Sequence, residues 1–252
     1  MKVVAIIPAR WASTRFPAKP LAMLAGRSVI ERVYSKVREV VADLFVATDD
    51  ERIVQHVEAF GGRAIMTSPN HKSGTDRCWE AYLKSGIEAD VVLNVQGDEP
   101  FIATEQIRSI LGCFERDAVD IATLVKPFAA DAPLAALENP NSPKVVVDKN
   151  WCALYFSRSV VPYLRGVERE KWLKEQRFYK HIGMYAFRTE ALRAVTALPQ
   201  GQLEIAESLE QLRWLENGYK IGVATTEIET IGIDTPADLE AAEEYLKTIT
   251  GE

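Results

Sequence analysis

The segment IIPARWASTRFPAKP, residues 6–20, sets Arg10, Arg15 and Lys19 behind an apolar run, and Met1 to Arg27 holds five cations with no carboxylate before Glu31. A loop needs no such charge to fold, and crowded cations repel unless an anion neutralises them. The segment therefore reads either as a phosphate site or as a solvated basic loop. In the first case Arg10 and Arg15 supply forked donors, Lys19 a compact charge, and Ser13 and Thr14 hydroxyl and backbone donors. The glycine fingerprint of a P-loop or dinucleotide-binding turn does not occur here, so such a cradle is built mostly from side chains.

Four further segments carry candidate chemistry. HKSGTDR (71–77) places Ser73, Gly74, Asp76 and Arg77 ahead of a helix that the pattern starts near Cys78. It reads as an N-cap and turn, or as a loop that holds a base or ribose. NVQGDEP (94–100) ends a strand run at Gln96, turns at Gly97 and presents Asp98 and Glu99 before Pro100. This is a polar turn, or a carboxylate placed for Mg2+, which takes few protein oxygens and several from substrate phosphates. In GIDTPADLE (232–240), Thr235 and Asp238 make a capping-box pattern with Pro236 at the first helical position. Asp234, not needed for the cap, is either an Asx-turn residue or a partner of Asp98 on one metal. LEIAESLEQLRWLENG (203–218) predicts one helix over 203–217, with Ile205, Leu209 and Leu212 on an apolar face and Glu204, Glu207 and Gln211 on another. Those polar residues are solvated, or they read sugar hydroxyls. His181, at the start of the run HIGMYAF, reads as a structural histidine.

The elements that must position these residues alternate along the first half of the chain. VVAIIP (3–8), LFVAT (44–48), AIMT (64–67) and DVVLNVQ (90–96) are nearly continuous apolar runs, as strands covered on both faces are. Between them, Ser28 caps a helical period through Ile30, Val33, Val37 and Val40, and Ile53, Val57 and Phe60 precede a stop at Gly61-Gly62. The alternation predicts right-handed βαβ units in an α/β sandwich, with ligands outside the carboxyl ends of the strands. After ATLVKPF (122–128), KVVVD (144–148) and ALYFS (153–157) predict a hairpin within an inserted lobe at about 126–180, in which 166–178 is an exposed connection. HIGMYAF (181–187) returns to the sheet, followed by a strand over 219–226 and a terminal helix from Pro236.

Composition limits the partners. The 252 residues carry a formal charge of -6, and beyond Arg27 there are 25 cations against 36 acids. Without an extended basic footprint the chain is not a general nucleic-acid binder; a small anionic ligand fits better. No run reaches about 18 apolar residues, and the opening run is too short for a signal peptide, which predicts a cytoplasmic protein with no membrane span. Cys78, Cys113 and Cys152 are far apart, with no CxxC pair, and read as reduced packing cysteines.

Taken together, IIPARWASTRFPAKPL, SGTDR, NVQGDEPFI, NPNSPKVVVD with ALYFSRSVVPY, YKHIGMYAFR, LEIAESLEQLRWLENG and GIDTPADLE resemble the 3-deoxy-D-manno-octulosonate cytidylyltransferases, the bacterial CMP-Kdo synthetases. The match follows the family's order and approximate spacing over nearly the whole chain. The resemblance implies a three-layer nucleotide-binding α/β sandwich of the nucleotide-diphospho-sugar transferase type, with the inserted lobe within a single domain over 1–252. It further implies a homodimer and Mg2+-dependent transfer of CMP from CTP to the sugar acid Kdo, with release of diphosphate, for lipopolysaccharide synthesis.

Residue by residue, the resemblance implies Arg10, Ser13, Arg15 and Lys19 on the triphosphate, Pro8 and Ala9 beside the cytosine, and Ser73, Gly74, Asp76 and Arg77 around the nucleotide. Gln96 lies near ribose and sugar, Asp98 and Asp234 hold Mg2+, and Lys19 joins them as the catalytic group. His181, Tyr185, Glu204, Glu207 and Gln211 match the sugar pocket, with Arg158 and Arg165 as candidates for the sugar carboxylate. The chain departs from the family at Gly201, where many relatives carry serine. The acceptor stays open between Kdo, 8-amino-Kdo and another sugar acid. A reading from a different class, a non-catalytic nucleotide-sensing protein, has no need of both aspartates.

Overall fold

The computed structural model describes residues 1–12, 16–229 and 231–250, the last two of these by backbone only. The chain divides into two compact units, 1–107 with 230–252, and 108–229.

In the first unit four parallel strands lie in the order Val91–Asn94, Val3–Ala9, Asp43–Thr48 and Ala64–Met66. Ile6 pairs with Phe45 on one side and Asn94 on the other, which sets the strands' carboxyl ends along one edge. The apolar runs are buried as their composition demands: Val4, Ala5, Ile6 and Ile7 have no exposed surface. The run 90–96 ends as a strand at Asn94, Val95 N–H still donates to Ile6 O at 3.1 Å, and the turn follows at Gly97 and Asp98. Helices Val29–Arg38, Glu51–Ala59 and Gly74–Ser85 fill the connections. Each begins with a side-chain cap: Ser28 accepts from Glu31 N–H, Asp50 from Arg52 N–H and Ser73 from Asp76 N–H. The helix expected near Cys78 therefore starts four residues earlier, because Ser73 supplies the cap and SGTDR is its first turn. The C-terminal helix Pro236–Thr250 lays Leu239, Ala242 and Leu246 on Leu24, Val29 and Ile233.

In the second unit Ile121–Pro127 lies between a parallel strand, Ile221–Thr225, and an antiparallel one, Tyr179–Arg188. The expected hairpin forms between Lys144–Val147 and Ala153–Ser157, and Lys144 and Val145 join it to Lys180 and Tyr179. The segment 126–180, expected as an inserted lobe, lies within this unit. Its stretch 166–178 is less exposed than its polarity suggests: Trp172 and Phe178 pack with Leu137 and Leu173, because Trp172 can bury its ring while its Nε1–H donates to Val167 O at 3.0 Å.

The helix expected over 203–217 is two helices, Gln202–Glu207 and Glu210–Glu216, broken at Ser208 with φ 51°. Arg158 causes the break. Its Nε donates to Glu207 O at 2.6 Å and its Nη2 to Ser208 O at 3.2 Å, so these carbonyls are taken by a side chain 49 and 50 residues away. Leu209 and Leu212 are buried as expected, but the break leaves Ile205 58% exposed and buries Glu204 and Gln211 from the polar face.

Candidate active site

A cavity of about 330 Å3 opens at the carboxyl ends of the first unit's strands, lined by Pro8, Ala9 and Arg10 from one strand end and Gln96, Gly97 and Asp98 from another. The loop between Arg10 and Lys19 is pinched shut where Ala18 N–H donates to Trp11 O at 3.1 Å. The guanidinium of Arg52 covers the Trp11 ring at 3.3 Å from its centroid. The short 3-10 turn Lys19–Leu21 then turns Lys19 into the cavity. Ser13 and Arg15 lie outside the described residues.

Lys19 is the centre of the site. Its Nζ lies 2.5 Å from Asp98 Oδ2 and 3.1 Å from Asp234 Oδ1, so two carboxylates 136 residues apart in the chain converge on one point. Two backbone devices bring them there. Ile233 N–H donates to Asp98 O at 2.9 Å, tying the two segments side by side. Asp238 Oδ2 accepts from the N–H of Asp234, the N–H of Thr235 and the Thr235 hydroxyl, so the helix cap also fixes the residue before it. Capping and presentation of Asp234 are one structure.

Gly97 makes the close approach of the two strand ends possible. A Cβ there would sit 2.9 Å from Pro8 O and 3.3 Å from Ile7 Cγ2, both held by a buried strand. Gly97→Ala is expected to destabilise by about 1–3 kcal/mol, measured by thermal denaturation. An unchanged midpoint would show that the turn gives way freely.

The opposite wall comes from 71–77. Ser73 and Gly74 line the cavity at the start of helix Gly74–Ser85, where the positive end of the helix dipole favours an anion. Arg77 lines it too, but its Nη2 is 2.8 Å from Asp49 and its Nη1 donates to Thr67 Oγ1 at 2.7 Å, with 5% of the side chain exposed. It serves as a braced wall. Asp76 sits in the helix's first turn and is not among the lining residues.

In the second unit, His181 and Tyr185 belong to an aromatic group, with their ring centroids 5.4 Å apart. His181 packs edge-on against Phe156 at 5.2 Å, and Tyr185 against Trp214 at 5.0 Å. His181 Nε2 lies 3.0 Å from Thr123 Oγ1, which is also within hydrogen-bond distance of the carbonyls of Met184 at 2.8 Å and Ile182 at 3.2 Å. Burial lowers the His181 pKa to about 3, so the ring is neutral at pH 7. Burial, with the Glu210 charge adding to it, raises Tyr185 well above its usual 10 and keeps its hydroxyl protonated. Gln211 is 4% exposed, and its Nε2 has no hydrogen-bond partner among the described residues, a donor left over in a dry place.

Three of the other expected sugar residues, Glu204, Glu207 and Arg158, are occupied. Glu204 Oε2 accepts from Gly201 N–H at 3.2 Å and lies 3.4 Å from Arg213 Nε. Glu207 accepts from the Ser157 hydroxyl at 2.7 Å and Arg158 N–H at 2.9 Å. Arg158 donates to Pro140 O besides the carbonyls of Glu207 and Ser208, which makes it a brace for the hairpin. Arg165 is exposed, and no hydrogen bond, ion pair or ring contact among the described residues ties it to this group.

Residues 4–221 match the cytidylyltransferase family. The 3-deoxy-manno-octulosonate cytidylyltransferase of Bacteroides thetaiotaomicron is 64% identical over 98% of this chain and 99% of its own length. That of Phocaeicola vulgatus is 62% identical over the whole of both chains. The chain belongs to the 3-deoxy-manno-octulosonate cytidylyltransferase family. A solved structure of CMP:2-keto-3-deoxy-manno-octonic acid synthetase complexed with CTP, 42% identical, superposes with a TM-score of 0.90 over 99% of this chain and 100% of its own.

As a member of this family the chain is a nucleotidyltransferase with the α/β fold that its alternating pattern predicts. Pro20, His71, Lys72 and Gly97 also line the cavity and went unassigned from sequence. His71 and Lys72 stand within the HKSGTDR segment, where a cation beside the capped turn was the available signal. Gly201 has a local explanation: the Glu216 carboxylate occupies the place of its missing side chain and accepts from Leu203 N–H at 3.3 Å. In this member of the cytidylyltransferase family, Glu216 supplies the helix-capping oxygen that a serine at 201 would carry.

Proposed function

We propose that the protein performs its family's reaction, transferring CMP from CTP to 3-deoxy-manno-octulosonate with release of diphosphate. The observation that carries this reading is the convergence of Asp98 and Asp234 on Lys19 in a cationic cavity at the strand ends. Pro8, Ala9, Ser73 and Gly74 offer an apolar shelf and amides for the nucleoside, while Arg10 and Lys19 face the triphosphate. Gln96 is assigned to the ribose.

The donor set suits Mg2+. Two carboxylates reach one point, and no group of three His, Cys, Asp or Glu side chains occurs among the described residues, so phosphate oxygens and water complete the shell. Asp98 and Asp234 are the proposed ligands; when bound, the ion supplies positive charge at the α-phosphate and favours ionisation of the sugar's anomeric hydroxyl. Lys19 leaves the aspartates for the phosphates as the nucleotide enters, and with Arg10 it offsets the charge that gathers on the departing diphosphate. No protein nucleophile is needed, because the sugar hydroxyl attacks phosphorus itself.

The sugar acid is assigned to the second unit, with Gln211 Nε2 as a donor, Tyr185 and neutral His181 as polar neighbours, and Glu204, Glu207 and Arg158 as the frame that holds them. Gln211→Ala is expected to raise the KM for the sugar about tenfold, the worth of one buried hydrogen bond, with the KM for CTP unchanged. Equal losses for both substrates would remove Gln211 from the sugar site. The homodimer and a place in lipopolysaccharide synthesis belong to the same proposal and rest on the family resemblance; the cytoplasmic location belongs to it too and rests on the short apolar runs.

Diphosphate release from each of the four nucleoside triphosphates, with Kdo, 8-amino-Kdo and N-acetylneuraminate as acceptors, tests the reading. Release with CTP and an octulosonate alone supports it and selects the sugar. No release from a folded protein that binds CTP overturns it.

A further inference from the structure

Four cations line the first unit's cavity: Arg10, Lys19, Lys72 and Arg77. Two of them are already neutralised, Arg77 by Asp49 at 2.8 Å and Lys19 by Asp98 and Asp234. Arg10 and Lys72 make no hydrogen bond or ion pair among the described residues, and both are exposed at the cavity. A nucleoside triphosphate brings about four negative charges, more than Arg10 and a shared Lys19 offset. Among the described residues that line the cavity, Lys72 is the cation left to add charge; Arg15 lies outside them.

The backbone around Lys72 is fixed on both sides. Ser73 caps helix Gly74–Ser85 by accepting from Asp76 N–H at 3.1 Å. On the other side, His71 Nε2 bonds to Glu80 Oε2 in the second turn of that helix. Glu80 is itself held by Lys84 at 2.7 Å and by Ser68 N–H at 3.0 Å. Burial raises the Glu80 carboxyl, but Lys84, the Ser68 amide and His71 outweigh it and hold its pKa at about 2, so the anchor stays ionised throughout the neutral range. An unpaired ammonium on a loop pinned at both neighbours is a preorganised charge.

We propose that Lys72 is a triphosphate-binding residue of this site, presented by the His71–Glu80 pair and the Ser73 cap, and that it selects for the number of phosphates on the nucleotide. The inference rests on the reaction proposed above. It concerns a residue the family resemblance did not assign.

The test is calorimetric titration of CMP, CDP and CTP into wild type, Lys72→Gln and Lys72→Arg at low and high salt, without sugar. Lys72→Gln is expected to weaken CTP about tenfold, CDP less and CMP hardly at all, as loss of one charge-assisted contact does. Lys72→Arg restores most of the CTP affinity, and the glutamine variant loses less affinity than wild type as salt rises. Equal weakening of all three nucleotides would point to base or ribose and overturn the inference. So would unchanged CTP affinity, or an effect confined to the KM for the sugar. A wild type that binds no CTP would instead overturn the functional reading on which the inference stands. Lys72 is exposed, so an unfolded variant is not expected, and circular dichroism checks this.

Discussion

Asp98→Asn is expected to lower kcat by roughly 10²- to 10³-fold, the usual effect of weakening one group that stabilises charge in a transition state, here the cation that Asp98 would hold, while leaving the fold intact. The substitution keeps shape and removes charge. Asp98 is 30% exposed and its ion partner is Lys19, so the stability lost with the pair is under about 1 kcal/mol. Asp234→Asn, 48% exposed, belongs with it: if both carboxylates hold one ion, either change should raise the Mg2+ concentration needed for half-maximal rate, and the double variant should lose little more than the worse single one. Steady-state diphosphate release across a magnesium series, with thermal denaturation alongside, measures all three. Turnover that returns to the wild-type value at saturating Mg2+ would mean that the residue tunes metal affinity and takes no part in the chemical step. Turnover unchanged at every Mg2+ concentration would remove it from the site.

What could be read from the sequence follows the range of each interaction. The parallel strands were legible because a strand covered on both faces shows its burial in an unbroken apolar run, and Ser28 and Thr235 because a cap acts within three residues. The cationic loop was legible from its charge alone. The joining of Asp98 to Asp234 was legible only as one of two readings, since it depends on an Ile233 to Asp98 backbone bond that no local pattern encodes; the family resemblance favoured the pair, and the fold supplies its cause. The longest misreading, one helix over 203–217, has the same origin. Its heptad-like spacing is real, but Arg158 takes the carbonyls at 207 and 208 from a hairpin about 50 residues upstream, and a tertiary hydrogen bond to a charged donor outweighs the local preference to continue. Arg77 and Glu204 show the corresponding lesson for sites. A charged residue in a distinctive motif can serve the motif's frame: Asp49 and Arg213 use up these charges before any substrate arrives.

Lys19→Met separates the two positions assigned to this lysine. In the structure its ammonium occupies the point between Asp98 and Asp234 that a cation would take, with 14% of the side chain exposed. Removing it takes away the competitor, so the nucleotide-free variant is expected to bind Mg2+ or Mn2+ about tenfold more tightly, as loss of one unit charge at contact distance in a mostly aqueous setting implies. Turnover should move the other way. With no ammonium to follow the phosphates, kcat is expected to fall at least 10²-fold, and CTP binding should weaken because one of the cavity's few cations is gone. The opposite signs make the experiment decisive. A purely structural lysine, holding two aspartates apart, would on removal loosen the site and weaken metal and nucleotide together. A lysine that serves only the triphosphate would leave metal binding to the free protein untouched. Calorimetric titration of the divalent ion into the free variant, paired with its steady-state kinetics, distinguishes these cases. Tighter metal with slower turnover is the result that the shared position of Lys19 requires.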